Sequence, residues 1–161
     1  MRVVAIVGNS GSGKTTLIER LIPALRTRGL TVSTIKHTHH HPIELDTPGK
    51  DSHRHRVAGA AEVIVASDTG WARVAASAEP ASLAVLLRQL RPVDVVLVEG
   101  FQQREWLRRV VVFRGPGTPL AVSDPGIAAV AAPAGLALPA LTARRLSLDD
   151  LPELLDFVLN A

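Results

Sequence analysis

The residues best suited to chemistry begin with a glycine-rich stretch that follows a short apolar run. Residues 8–15 read GNSGSGKT and fit the pattern G-x-x-x-x-G-K-[ST] at every fixed position. In that pattern backbone amides surround phosphate oxygens, the lysine reaches the β- and γ-phosphates, and the hydroxyl ligates Mg²⁺. The alternative is a Gly/Ser turn that opens an ordinary helix. The nucleotide-binding residues predicted from this loop are Gly8, Asn9, Ser10, Gly11, Ser12, Gly13, Lys14, Thr15 and Thr16.

A phosphate loop needs an acidic partner for its metal, which usually ends a neighbouring apolar strand. The run DVVLVEG supplies one, because Asp94 opens it and Glu99 closes it. Ligands of open α/β sheets bind outside the carboxyl ends of the strands, so Glu99 is preferred as the metal-side acid. Thr15 and Glu99 are thus the predicted metal ligands, and Lys14 and Glu99 the predicted catalytic residues. The alternative for Glu99 is a solvated carboxylate in a strand-to-loop turn.

A second polar stretch, residues 35–56, holds all six histidines and two of the three lysines. Imidazole suits Zn, Ni and Cu, but no regular helix or strand would turn the whole tract HTHHH, residues 37–41, to one point. A polar loop whose histidines meet phosphate, solvent or the carboxylates of Glu44 and Asp46 is the favoured alternative. Arginine fills most cationic positions of this chain, so its few lysines hint at compact ammonium groups with a task.

The elements that must position these residues alternate between strand-like and helix-like runs. The strand-like runs are RVVAIVG, TVSTIK, EVIVAS, WARVAA, DVVLVEG, RRVVVFR and IAAVAA. Helices are predicted over residues 14–28, 51–58, the run EPASLAVLLRQL and residues 148–159, where Ser147 and Asp150 are spaced for a capping box. This alternation predicts an α/β protein with the three-layer P-loop NTPase fold, a largely parallel sheet flanked by helices.

Composition bounds the class of protein. A chain of 161 residues with 47% apolar residues predicts one globular domain, a single P-loop nucleotide-binding domain over 1–161. A net charge of +3 does not argue for a nucleic acid polymer as partner. Residues 125–143 carry no charge, but their prolines and glycines would break a membrane helix. Without cysteine or an apparent signal peptide, the cytoplasm is the expected location.

Four motifs in this order carry a family resemblance: GNSGSGKTTL, IKHTHHH, LDTPGKDSHRHRVAGA and DVVLVEGF. Together they resemble the molybdopterin-guanine dinucleotide biosynthesis protein B (MobB) family, from Met1 to about Arg114. Downstream of Gly115 the match is only one of pattern. The resemblance implies a GTP-binding protein of the metallochaperone-like P-loop class that uses GTP and Mg²⁺ and acts in the last step of bacterial molybdenum cofactor maturation.

The same resemblance implies partners. Family members assist the guanylyltransferase that joins GMP to molybdopterin, are typically homodimers and hydrolyse GTP weakly. The implied partners are therefore that guanylyltransferase, molybdopterin and a second copy of the chain. The family motifs also place several residues near the nucleotide, the anionic pterin phosphate or a partner: Lys36, His37, Lys50, Asp51, Arg54, Gly100 and Phe101.

The sequence departs from the family pattern in two places. Gln102 stands where a lysine is expected after VEGF, and LRR replaces a later Pro-Lys pair, which leaves Arg108 or Arg109 as a substitute anion contact. The guanine-reading Asn-Lys-x-Asp motif is absent, since the only asparagines are Asn9 and Asn160. Guanine preference therefore rests on the resemblance.

Two other function classes stay open beside the adapter: a nickel-delivering metallochaperone GTPase and a small-molecule P-loop kinase. Whether the chain is an enzyme in its own right also stays open, because no water-orienting glutamine or internal arginine finger can be placed from sequence. Trp71, Trp106 and Phe101 are candidates for a partner-facing surface, and ordinary core or surface positions are the alternative.

Overall fold

The computed structural model describes residues 1–38, 47–75, 77, 79–102, 106–122, 124 and 126–160. The chain divides into two compact units, the first made of Met1–His37 with Leu86–Ala161 and the second of Thr38–Val85. The prediction of one domain over 1–161 stays a prediction.

Thirteen elements follow one another in the described residues. In chain order they are β1 (Arg2–Val7), α1 (Lys14–Thr27), β2 (Val32–Lys36), α2 (Asp51–Val57), β3 (Glu62–Ser67), β4 (Gly70–Ala75), α3 (Leu83–Gln89), β5 (Val95–Glu99), β6 (Arg108–Val112), a 3₁₀ turn (Leu120–Val122), β7 (Ile127–Ala132), β8 (Arg144–Ser147) and α4 (Leu151–Leu159).

A six-stranded sheet in the order β2-β5-β1-β6-β7-β8 forms the centre of the first unit. Every described pairing in it is parallel. In β1 and β5 the residues Val4–Val7 and Val95–Val98 are at most 1% exposed. Strands buried on both faces read as continuous apolar runs, which is how both strands read in the sequence.

Helices α1 and α4 pack against each other and against the sheet. From α1, Leu17, Ile18, Leu21 and Leu25 face the core at helical spacing, because residues three and four apart share one side of a helix. From α4 the buried residues are Leu154, Leu155, Phe157 and Val158. Arg20 of α1 also donates to the carbonyl of Leu148 at 2.6 Å. The predicted α/β architecture, a largely parallel sheet flanked by helices, is confirmed.

The C-terminal elements differ from the prediction. The last helix begins at Leu151, and Asp150 is its N-cap, accepting from the backbone N–H of Glu153 at 2.9 Å. The Glu153 carboxylate accepts from the backbone N–H of Ser147 at 2.9 Å. The predicted capping box of Ser147 with Asp150 is therefore wrong, because Ser147 ends a strand, β8, that the sequence did not predict.

The second unit contains α2 and the antiparallel hairpin of β3 with β4. Large apolar side chains of this hairpin are exposed, with Ile64, Val65 and Trp71 at 58%, 51% and 60%. A two-stranded sheet is marginal in water by itself. Among the described residues no helix is long and apolar enough to cross a membrane.

Candidate functional site

The glycine-rich stretch forms a loop that joins β1 to α1. Gly8, Gly11 and Gly13 adopt φ values of 139°, 72° and 94°, which L side chains rarely adopt. A Cβ at Gly8 would also lie 2.6 Å from the carbonyl oxygen of Val112. The loop therefore requires glycine at its first position for space as well as for conformation. It ends where α1 begins, with the backbone N–H of Leu17 donating to Gly13 at 2.9 Å.

Lys14, the first residue of α1, folds back across the loop. Its Nζ donates to the carbonyl of Gly8 at 3.0 Å and to that of Asn9 at 2.7 Å. A lysine ammonium has three N–H donors, so this geometry leaves one for a ligand in front of the loop. The position suits a cation that binds phosphate as a point charge.

Thr15 and Glu99, the two predicted metal ligands, are brought together. The Thr15 hydroxyl lies 3.1 Å from Oε1 and 3.0 Å from Oε2 of Glu99. The Glu99 side chain is only 13% exposed, and Lys36 Nζ lies 3.6 Å from its Oε1. In the sheet, Ile6 and Lys36 are both register partners of Glu99, so the ends of three adjacent strands meet here.

The two ends of β5 carry acids with different surroundings. Asp94, before the strand, accepts from the backbone N–H and hydroxyl of Thr31 at 2.8 Å and 2.6 Å. The Thr31 hydroxyl, followed by the Thr31 backbone N–H, lowers the pKa of Asp94 below 3.8. Asp94 therefore ties the start of β5 to the start of β2, whereas Glu99 faces the phosphate loop at the other edge of the sheet.

The turn after Glu99 is held close to the end of β2. Gly100 has φ 92° and Phe101 has φ 55°, an uncommon value for a residue with a side chain. A Cβ at Gly100 would lie 3.1 Å from the Cβ of His37, and the rings of His37 and Phe101 lie 4.7 Å apart. His37 also donates its backbone N–H to the Glu99 carbonyl at 2.9 Å. Three residues that the family motifs singled out are thus in contact.

On the other side of β1, the segment after β6 borders the phosphate loop. A cavity of about 250 Å³ lies between residues 8–12 and residues 111–120. Gln102, which stands where the family pattern has lysine, donates from Nε2 to the carbonyl of Gly8 at 3.3 Å. That substitution replaces a possible anion contact by a neutral contact to the loop backbone.

Arg108 and Arg109 do not take over the missing lysine's role, so that part of the sequence reading is wrong. Arg109 is 2% exposed and forms a bidentate pair with Asp124, with Nη2 3.0 Å from Oδ1, besides donating to the Gln102 carbonyl at 2.6 Å. This guanidinium lowers the pKa of Asp124 below 3.8. Arg108 stacks 4.3 Å over the ring of Phe157 and donates to Asn160. Both arginines are engaged in packing the first unit.

The remaining predicted anion-binding residues lie in the second unit. Lys50 is the N-cap of α2, and Arg54 and Asp51 form an exposed ion pair at 3.9 Å. Their part in an anion site stays a prediction. Residues 39–41 of the histidine tract lie outside the described residues. Among the residues that are described, no three His, Asp or Glu side chains cluster in a way that could hold a metal ion.

The sequence does not predict three contacts of this site: the Arg109–Asp124 pair, the Gln102 contact to Gly8, and the approach of Arg114 to Gly13. The signal for Arg109 was weak, because an arginine at the start of an apolar strand reads as exposed. Arg114 directly follows a buried strand in the sequence. That position indicates closeness to the phosphate loop only when β6 is known to lie beside β1.

Comparison with known proteins agrees with the geometry. The sequence profile of the family described as Molybdopterin guanine dinucleotide synthesis protein B (MobB) matches residues 3–133. The chain is 40% identical to a molybdopterin-guanine dinucleotide biosynthesis adapter protein of Haemophilus influenzae, over 98% of this chain and 88% of that protein. It is 39% identical to the adapter protein of that name from Escherichia coli, over 98% and 91%.

The fold is shared with a solved structure as well. The crystal structure of Bacillus subtilis MobB superposes with a TM-score of 0.79 at 25% identity, covering 99% of this chain and 97% of that one. The family profile spans the phosphate loop, the acid Glu99 and the turn that follows it. The chain belongs to the MobB family.

Proposed function

We propose that this protein is a GTP-binding adapter of molybdopterin-guanine dinucleotide biosynthesis that assists the guanylyltransferase attaching GMP to molybdopterin. The observation that carries the proposal is the contact of Thr15 with Glu99 beside a loop that Lys14 crosses. The support for the pathway is the 40% identity to an adapter protein over nearly the whole chain.

The proposed site holds the nucleotide by its phosphates. The amides of the glycine-rich loop and the start of α1 favour anions, because unpaired N–H groups and the positive end of the helix dipole point toward them. Lys14 adds a positive charge at the same place. Lys36 places a second positive charge at this edge of the sheet, with its Nζ 3.6 Å from Oε1 of Glu99.

The residues present fit Mg²⁺. A hydroxyl and a carboxylate are the hard oxygen ligands that Mg²⁺ prefers, and Thr15 and Glu99 bring one of each within 3.0 Å. When bound, Mg²⁺ would neutralise charge on the phosphate oxygens. Glu99 accepts a hydrogen bond from the Thr15 hydroxyl and forms an ion pair with Lys36, and both contacts hold its side chain toward the loop.

Slow hydrolysis is part of the proposal. Among the described residues, Gln102 is a glutamine that hydrogen-bonds to the loop. Its amide nitrogen donates to the Gly8 carbonyl. In efficient GTPases a glutamine orients the attacking water, whereas we assign Gln102 to the loop backbone, which its amide N–H contacts. A nucleotide-dependent adapter is therefore a better description than an efficient GTPase.

We also propose that two copies associate through the β3–β4 hairpin. Ile64 and Trp71 project from one face of the hairpin, since Ile64 pairs with Arg73 and Ala66 pairs with Trp71. Both are more than half exposed. Burying exposed apolar area of this kind against a second copy is favourable at about 25 cal/mol per Å².

Calorimetric titration and turnover measurements together test the nucleotide preference and the place in the pathway. GTP and ATP are titrated with and without Mg²⁺, then with Ni²⁺, and GTP turnover is measured with and without the guanylyltransferase and molybdopterin. The proposal expects Mg²⁺-dependent GTP binding, slow turnover alone and faster formation of the dinucleotide when the chain is present. Preference for ATP with transfer to a small acceptor would favour a kinase, and tight Ni²⁺ binding linked to GTP would favour a metallochaperone.

A further inference from the structure

We propose that Arg114 is a further phosphate-binding residue, which contacts the polyphosphate of the nucleotide from the β6 side of the loop. The inference rests on the proposed function, because it requires that the glycine-rich loop binds a nucleotide. It adds a cation that neither the loop pattern nor the motifs quoted for the family resemblance includes.

Arg114 lies against the last glycine of the loop. A Cβ built on Gly13 would be 2.9 Å from Nε and 3.6 Å from Nη2 of Arg114. Gly13 directly precedes Lys14, the residue that begins α1. The guanidinium therefore borders the part of the loop where the helix N-terminus and the Lys14 ammonium favour an anion.

The charge of Arg114 is available to a ligand. Within the part of the chain that the structure describes, no hydrogen-bond acceptor or carboxylate pairs with it, and the residue is exposed. Other arginines of the first unit have such partners, namely Arg109 with Asp124, Arg144 with Glu153 and Arg28 with Asp156. An exposed arginine beside a phosphate loop can therefore bind an anion without breaking an existing ion pair.

Polar side chains line the cavity next to Arg114. Arg114, Ser12 and Thr118 all line the cavity of about 250 Å³ beside the loop. The Ser12 hydroxyl is buried and has no hydrogen-bond partner among the described residues. A buried hydroxyl left unpaired costs free energy, which a ligand oxygen in this cavity would recover. Both features favour an oxygen-rich anion.

Sheet order places Arg114 opposite the other charged groups. Strand β1, which leads into the loop, lies between β5 and β6. Glu99 and Lys36 come from the β5 side, and Arg114 follows β6. A polyphosphate in the loop would thus have the metal ligands on one side and a guanidinium on the other. A guanidinium suits that position, because its planar set of N–H donors binds two phosphate oxygens at once.

The test is a comparison of three variants, Arg114→Ala, Arg114→Lys and Arg26→Ala. Arg26 is an exposed arginine near the far end of α1, about 18 Å along the helix from Lys14, so it controls for the loss of one positive charge. GTP binding in the presence of Mg²⁺ is measured at low and high salt, together with the thermal unfolding midpoint of each variant.

We expect Arg114→Ala to weaken GTP binding about tenfold or more, with a shallower dependence on salt, because a charge-assisted contact is removed. Arg114→Lys should recover part of the affinity and all of the salt dependence, since lysine retains the charge but lacks the planar guanidinium that binds two oxygens at once. Arg26→Ala should match the parent in affinity, and all variants should unfold near the parent temperature.

The other outcomes separate this inference from the proposed function. If the parent binds GTP and Arg114→Ala binds it equally well, the inference fails and the nucleotide site stands. If Arg114→Ala and Arg114→Lys lose affinity alike, with unchanged salt dependence or a lowered unfolding midpoint, Arg114 only packs on Gly13 and the inference also fails. A parent chain that binds no nucleotide would overturn the proposed function and the inference together.

Discussion

The Thr15 hydroxyl and the Glu99 carboxylate lie 3.0 Å apart although they are 84 positions apart in the sequence. The contact forms because β1 and β5 are adjacent and parallel, with Ile6 opposite Glu99, so the end of β5 meets the turn into α1. Separate features of the sequence predict the two residues as metal ligands, the loop pattern for Thr15 and the place at a strand end for Glu99.

Glu99→Gln should weaken the response to Mg²⁺ more than nucleotide binding in its absence, because it removes a metal-side charge and leaves the amide loop intact. GTP titration with and without Mg²⁺ measures both. Asp94→Asn, at the other end of β5, is the control and should keep the parent's Mg²⁺ response. A Glu99→Gln protein with an unchanged Mg²⁺ response would contradict the assigned role.

Lys14→Ala should weaken GTP binding by about ten- to a hundredfold, the range for hydrogen bonds to a charged group, while the fold stays intact. Within the part of the chain that the structure describes, its ammonium donates to two loop carbonyls and is not part of the core. Calorimetry measures the affinity, and circular dichroism with thermal unfolding checks the fold. Arg26→Ala, on the same helix, is the control. A folded Lys14→Ala protein that binds GTP normally would refute the assignment.

Two triple variants separate the anion and metal interpretations of the polar stretch over residues 35–56. Replacing Lys36, Lys50 and Arg54 together should weaken GTP or pterin phosphate binding and flatten its salt dependence, because each lost cation removes a screened attraction. Replacing His39, His40 and His41 should weaken GTP or pterin phosphate binding less. The reverse order, with submicromolar Ni²⁺ or Zn²⁺ binding that disappears in the histidine variant, would favour a metal site.

Asp124→Ala should lower the free energy of unfolding by about 2–3 kcal/mol, because it leaves the buried Arg109 guanidinium without its carboxylate. This loss is smaller than the about 3–5 kcal/mol for a fully buried pair, since the Asp124 side chain is 37% exposed. Urea unfolding measures the change. Asp156→Ala, which removes a carboxylate from the exposed Arg28 pair, should cost under about 1 kcal/mol. An equal loss in the free energy of unfolding for the two variants would show that burial of Arg109 does not strengthen its pair with Asp124.

Acid should destabilise the chain partly through Asp124. The carboxyl has its ordinary pKa of 3.8 when unfolded and a lower pKa when folded, mainly through the Arg109 hydrogen bond. Its contribution to stability is therefore complete above 3.8 and is lost as the pH falls through the folded pKa. Urea unfolding from about pH 5 down to about pH 2 should show a smaller decline for Asp124→Asn than for the parent. Parallel declines would contradict the shift.

The sequence was sufficient for the loop, the acid and most strands, because each has a local signature. Lys14 and Thr15 occupy fixed places in a spaced pattern, and β1 and β5 are continuous apolar runs that only a buried parallel sheet explains. The predicted end of the first helix lies within one residue of the observed end, because leucines at four-residue spacing define its buried face.

The features that the sequence does not predict depend on pairing with residues distant in the chain. β8 is four residues long and begins with two arginines, so it becomes a strand only by pairing with β7. Arg109 follows a second arginine at the start of an apolar run, and it is buried because Asp124, fifteen residues later, accepts from both of its Nη atoms. Neither pairing leaves a periodic signal that could be read before the fold is known.

The long separation of Thr15 from Glu99 has a consequence for the order in which the protein is made. The ribosome releases the phosphate loop early, but the acid and the strand that carries it emerge 84 residues later, and β6 later still. Because β1 must pair with both of those strands, the centre of the sheet closes only when more than half of the chain has been synthesised. Such non-local pairings are slow to form and leave apolar strands exposed meanwhile. A nascent chain of this protein thus presents an unpaired β1, with five apolar residues among its six, until β5 and β6 have emerged.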